Sequence, residues 1–412
     1  MVIGAGFAGL HCAAALADVG CRVVVFERDS ALMSGASRHN WGRIHHGWHF
    51  AGSLATALES ISSAFDFLDE FGDLLHLAPR RTRPPSWIAV AGTSFTSWDK
   101  LLPRAEVMRA HYAAECDRRA TTFGPAEEFF RPLEPADWTP YLDSDQIVAA
   151  ASTLEPFVDL DALAARVIAR ARGHRRVSIR TGHEVIDARP ETLGDPDSPV
   201  LITVRRVDGS LSTIRAHGVV NAAWASRAKL DEVMARHCRA ALPEPPAAYR
   251  RKDFLHVRLP AVLRNHPSCM VIHGPYAVFA NHGDGTGLLD YAPATTLAAD
   301  YAEFSDGADL RRSVADSHQL VDEILYGAEQ FIPGIAAATP IRVHSGIVYN
   351  PGDADIDDPT TAMHHRLGTG VKLVSPRWSS LDTGKLSWVP RLTREVIAAT
   401  GPRVRRAAAR SI

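Results

Sequence analysis

Val2-Ile3 runs directly into Gly4-Ala5-Gly6-Phe7-Ala8-Gly9, and no other feature restricts the fold of this chain as tightly. A glycine run of this spacing carries weight only when its flanks agree. Here they do. Leu10 to Ala17 is a run of small and apolar residues suited to a helix packed closely on a sheet, and Gly20 ends it. Cys21-Arg22-Val23-Val24-Val25-Phe26 then reads as a buried parallel strand, closed by Glu27. The unit is strand, tight turn, helix, strand, with an acidic residue about 20 positions on, the pattern of a dinucleotide site. Gly4 permits the turn, Gly6 lets backbone approach a pyrophosphate, and Gly9 allows close helix–strand contact. The helix start at Phe7, Ala8 and Gly9 offers N–H groups and a positive dipole end to the phosphates. Glu27, with Arg28 beside it, is placed to reach a ribose. The strand before the glycines is very short, so either it is short in the fold or the natural chain begins upstream.

A chain of 412 residues exceeds what one core usually serves, so two domains are expected. The formal net charge of -2 gives no support to a nucleic-acid partner. Cys12, Cys21, Cys116, Cys238 and Cys269 form no CxxC pair, which argues against a disulfide framework and against a zinc site, and no metal is expected. There is no charged leader before Val2 and no run of about 20 apolar residues, so a cytoplasmic chain without a membrane span is expected. Richness in Ala and Arg suits a GC-rich bacterial genome.

Three stretches carry a resemblance. Gly42-Arg43-Ile44-His45-His46-Gly47, after the Ser34 to Asn40 loop, is the first. Val219-Val220-Asn221-Ala222-Ala223 is the second, and Gly384-Lys385-Leu386-Ser387 the third. Together they resemble the D-amino-acid oxidase superfamily of flavoproteins. Its members include glycine and sarcosine oxidases, glycerol-3-phosphate dehydrogenase and L-2-hydroxyglutarate dehydrogenase. The resemblance implies FAD rather than a nicotinamide cofactor, and it places Arg43, Ile44, His45 and His46 along the flavin ring. It implies that the strand carrying Glu184 and Val185 reaches the adenine. Asn221, Ala222 and Ala223 would lie at the pyrophosphate, and Gly346, Asp382, Gly384, Lys385 and Leu386 near the ring. Trp224 departs from the family pattern, which has glycine there.

The implied fold class is α/β (α+β), a Rossmann-like FAD-binding domain with a parallel sheet plus a substrate domain on a large antiparallel sheet. The FAD-binding domain would comprise 1–85, 150–230 and 345–412, and the substrate domain 86–149 and 231–344. Strands are expected at 87–90, 201–207, 212–216, 254–259, 269–272 and 277–279, and a helix from Leu310 to Gln330. After Gly401-Pro402 a frayed basic tail is expected.

Such an enzyme would oxidise a C–N or C–O bond of a small-molecule substrate, passing hydride to the flavin and then to oxygen or another acceptor; bacterial secondary metabolism is one setting for it. Histidine is the natural base near neutral pH, which makes His45, His46 and His344 the catalytic candidates. His45 or His46 could instead be a covalent flavin attachment point, whereas His49 reads as structural. His364 and His365 form a second group of candidates with His344, or else lie in a solvated loop. Val348 stands where amino-acid oxidases carry the arginine that grips a substrate carboxylate. Unless Arg342, Arg366 or Arg377 replaces it, the substrate is a polyol, sugar-like, hydroxy or amine compound. Gly352-Asp353-Ala354 supports a rival reading as a flavin monooxygenase, although Asp353, Asp355, Asp357 and Asp358 also read as an exposed acidic loop. A flavin-binding protein without turnover is the third reading, from the crowding that Trp41, Trp48 and Trp224 could cause.

Overall fold

The computed structural model describes residues 1–76, 84–238, 247–299, 317–351, 358–360, 364–366 and 369–409. Two compact units are present, one formed by 1–40, 160–247 and 368–412, the other by 41–159 and 248–367. These junctions differ from those read in the sequence. Residues 41–76 join the second unit because Arg43 bridges to Phe157 and the helix Leu54–Phe71 packs on the helix Trp98–Asp117. The helix Arg227–Cys238 keeps the chain beyond 230 in the first unit, where it packs on the strand His183–Pro190.

The first unit is built on six strands in the order Gly370–Ser375, Trp378–Asp382, Val219–Asn221, Val2–Ile3, Val23–Phe26, Val177–Arg180. All neighbours are parallel except the Gly370–Ser375 and Trp378–Asp382 pair. Val2–Ile3 is short yet central, with Val2 opposite both Val220 and Val25. The helix Phe7–Asp18 covers one face and packs against the helices Leu160–Gly173 and Val389–Ala409. The other face meets a three-stranded antiparallel layer, His183–Pro190, Val200–Arg206 and Leu211–Ala216. Ile3, Phe26, Val219 and Trp378 share its core with Ala188, Val200, Ile202 and Val204. The last helix continues through Gly401-Pro402 to Ala409 instead of fraying there. One proline removes a single helical N–H, and the helix-favouring Arg and Ala beyond it carry the pattern on.

The second unit holds a nine-stranded, largely antiparallel sheet in which Ser86–Ala91 runs parallel to Ser268–Ile272. Its longest strands, Ala247–Arg258 and Thr339–Pro351, pair with each other. One face is sealed by the helix His318–Glu329, whose Leu320, Val321, Ile324 and Leu325 join Leu255, Val257, Phe279 and Leu289. The stretch 310–316 of the expected helix, and 352–357 with Gly352, Asp353, Ala354, Asp355 and Asp357, lie outside the described residues.

Candidate cofactor cradle and active site

Every parallel strand of the first unit points its carboxyl end at the same edge of the sheet, the edge where open α/β sheets bind ligands. Gly4 follows the central strand in the left-handed region, at φ +92°, and a Cβ there would stand 2.7 Å from the Ala222 carbonyl. A Cβ on Gly9 would lie 2.0 Å from the Gly4 carbonyl, so the helix can sit this close to the strand only with glycine. In front of Gly6, among the described residues beyond its own helix and chain neighbours, the Ser37 hydroxyl alone comes within contact range. The helix that begins at Phe7 has no side-chain cap at Gly6 and no acid in its first turn. The Phe7 N–H donates to the Ser37 hydroxyl at 2.9 Å, and the other N–H groups of this helix N-terminus suit an anion, so the cradle fits a dinucleotide pyrophosphate. Glu27 closes the next strand and accepts the Ala5 N–H at 2.6 Å and the Asp29 N–H at 3.0 Å. Burial pushes its carboxyl above the usual range, against the pull of those two donors. Arg28 is exposed beside it, and Glu184 pairs with Arg205 at 2.6 Å while Val185 is core.

The turns after Val219–Asn221 and Trp378–Asp382 meet at this edge. Trp224 takes the left-handed conformation at φ +48°, which explains the family's glycine there. Gly384 is left-handed as well, at φ +56°, and donates its N–H to Asp382. Lys385 precedes a single 3-10 turn, Leu386–Trp388, that leads into the final helix. Behind the two turns lies a buried polar group that the sequence did not reveal. Asp231 accepts from Asn221 at 2.8 Å, from Trp378 at 2.6 Å, from Arg227 at 3.1 Å and from the Ser380 hydroxyl. Burial raises its carboxyl, and these donors hold it down.

In the second unit the run Gly42 to Gly47 is fastened to 156–158. The Ile44 N–H donates to Pro156, and the Val158 N–H to Gly42. Beneath it lies Glu155, which is 2% exposed and to which the sequence assigns no role. Its carboxylate stands 2.8 Å from Arg43 Nε, accepts the His46 N–H at 2.7 Å and lies 3.8 Å from His45 Nδ1. The two histidines then part company. His45 keeps an accessible edge and packs near His49, 5.5 Å between centroids. His46 is sealed among Tyr112, Phe123 and Phe129, and neither ring nitrogen has a hydrogen-bond partner among the described residues. Burial, with Arg43 nearby, drives its pKa down to about 3.

His344 lies on the strand Thr339–Pro351 and stacks on Phe254, 4.9 Å between centroids. His256 and His282 complete this group, and Trp41 also packs on Phe254, 5.3 Å between centroids. Gly346 and Val348 are half-buried on the same strand. His364 belongs elsewhere. It is buried, not solvated, because it packs edge-on against His273, 4.7 Å between centroids, and against Phe95. Trp48 is core, packed on Phe129 and Phe130. Arg377 fastens the carbonyls of Asp197 and His217 in the first unit, and Arg366 lies over Phe50 in the second. No described helix is long and apolar enough to cross a membrane.

Comparison with known proteins agrees with this geometry. Glycine oxidase from Geobacillus kaustophilus is similar in fold, with TM-score 0.62 and 18% identity, over 98% of this chain and 94% of that one. L-proline dehydrogenase from P. horikoshii gives TM-score 0.64 at 13% identity, over 97% and 91%. The FAD-bound L-alpha-glycerophosphate oxidase from Mycoplasma pneumoniae gives 0.63 at 15% identity, over 97% and 94%. A curated relative, the FAD-dependent monooxygenase FPY4 of Fusarium mangiferae, is 36% identical over 78 residues, which is 19% of this chain and 21% of that protein. The family model for FAD dependent oxidoreductases, DAO, matches residues 1–372. The chain belongs to that family and is an FAD-dependent oxidoreductase.

Proposed function

We propose that the enzyme dehydrogenates a C–N or C–O bond in a small polar molecule, with oxygen or another acceptor taking the electrons onward. When bound, FAD supplies the two-electron acceptor for the hydride. Gly6 and the N–H groups of Ala8 and Gly9, with the Ser37 hydroxyl that accepts the Phe7 N–H, would hold the pyrophosphate, Glu27 a ribose hydroxyl, and the Asn221–Ala223 and Gly384–Leu386 turns the remaining length. The observation that carries the reading is Glu155 beneath His45. A neutral His45 can take the proton from a substrate hydroxyl or amine, and the carboxylate 3.8 Å away favours the cation that results. His344, stacked on Phe254, is the second candidate for that role. His46 has no accessible nitrogen, so its part is to pack the loop that presents His45. Val348 leaves the substrate without the family's carboxylate clamp, which favours an alcohol or amine over an α-amino acid.

Anaerobic mixing tests this. Bleaching of the yellow protein by amines or polyols, without NADPH, is expected. Reduction by NADPH alone would instead support the monooxygenase reading, to which the 78-residue likeness to FPY4 gives specific weight. Acid precipitation separates the two roles open to His45. Flavin in the supernatant leaves it free to act as base, and flavin in the pellet makes it the candidate attachment point.

A further inference from the structure

We propose that Arg227 is a positioning residue for the flavin cradle, tying its two turns together and balancing the carboxylate at the anion-binding edge. The proposal rests on the reading that FAD occupies the carboxyl edge of the first unit's sheet. Arg227 is 1% exposed, and its guanidinium forks. One amino group donates to Asp231 at 3.1 Å and to Ser380 at 2.9 Å, and the other to Asp382 at 3.2 Å. From there the connections run outward in both directions. Asp231 accepts from the Asn221 amide at 2.8 Å, and Asn221 in turn accepts the Ala223 N–H at 3.3 Å. On the other side Asp382 accepts the Gly384 N–H at 3.3 Å. A single unbroken path therefore joins Ala223 to Gly384 through one cation.

Two consequences follow from the chemistry of that cation. A forked, planar donor can serve two carboxylates at once, which a lysine ammonium on the same stem does less well. Without it, Asp231 would keep its Asn221, Trp378 and Ser380 donors, but Asp382 would stand as an unbalanced negative charge at the edge adapted to phosphates, and the anionic cofactor would meet repulsion. An ion pair that served stability alone would need neither the second carboxylate nor the link to both turns.

The test measures the FAD dissociation constant of apoprotein by quenching of flavin fluorescence. Arg227→Met is expected to weaken binding by about tenfold or more, the scale of one unbalanced charge at a low-dielectric edge. Adding Asp382→Asn to that variant removes the repelling charge and is expected to recover most of the loss. A double variant that binds no more tightly than Arg227→Met, or an Arg227→Met protein that binds like the native one, would overturn the proposal. Should Arg227→Met fail to fold, Arg227→Lys keeps the charge and loses the fork; weaker FAD binding with a native circular-dichroism spectrum is expected, and unchanged binding refutes positioning. Gly6→Val separates this idea from the reading beneath it. If Gly6→Val binds FAD normally, the cradle itself is misplaced. If Gly6→Val loses FAD while every Arg227 variant keeps it, the positioning role alone fails.

Discussion

Nothing in the local sequence assigns Glu155 a role, yet it balances a buried arginine and fixes the backbone of a histidine 109 positions away. Glu155→Ala would leave Arg43 charged and buried without its partner, a cost of about 3–5 kcal/mol. Calorimetry should show a large fall in melting temperature for that variant and a smaller one for Glu155→Gln, which still accepts the His46 N–H. His46 makes the opposite case. Both its ring nitrogens are buried among aromatic rings without a hydrogen-bond partner among the described residues, so His46→Phe removes two unsatisfied polar atoms at similar volume. That change is expected to be neutral or to stabilise by about 1 kcal/mol. Gly6→Val should abolish flavin content, because the space before Gly6 is where backbone must approach the phosphates. The contrast explains what could be read from the chain. The glycines act on neighbours a few residues away, and their spacing states their purpose. Glu155 acts across the fold, and an acid flanked by Pro156 and Phe157 says only that it will be hard to solvate.

At the scale of elements, the strands and the first helix were legible because their periodicity and their stop signals are local. The turn at Trp224 was legible only as a departure. The structure supplies its reason: the backbone there is left-handed, and a tryptophan accepts a strained conformation that glycine takes freely. A matched pair of variants isolates the backbone effect from the packing of the indole. Trp224→Gly and Trp224→Ala both delete the ring, but only the former relieves the left-handed strain. Urea unfolding is expected to place the glycine variant about 1 kcal/mol above the alanine variant, the reverse of their order inside a helix. Equal stabilities would mean that the turn relaxes when the ring is lost. The buried group on Asp231 was not legible at this scale either. Asn221, Arg227, Trp378 and Ser380 come from three elements, and only the sheet order brings them together.

At the scale of the molecule, the two units have separate cores, and the sequence placed their junctions differently because it could not show which unit the segment after Trp41 joins. The second unit also carries a pH dependence that the sequence hides. Burial lowers His46 to about 3 and, with His364, His365 and Arg104 adding to the effect, His273 to about 4. Each is neutral in the folded state and takes up a proton on unfolding once the pH falls below the ordinary histidine value of about 6.5. The unfolded chain therefore binds more protons in that window, and stability rises with pH. The contribution is complete above about pH 6.5 and is lost on acidification, at about 1.4 kcal/mol per pH unit for each histidine. Glu27 and Asp231, raised by burial, act in the opposite sense at the acid end, so the total slope is not the cleanest measure. The difference between proteins is cleaner. Urea unfolding between pH 5 and 7 should give a shallower rise for His46→Phe than for the native chain, by about 1.4 kcal/mol per unit at the lower pH values. Identical slopes would mean that His46 is protonated or hydrated in the folded protein, and its place as a neutral packing residue beside His45 would have to be given up.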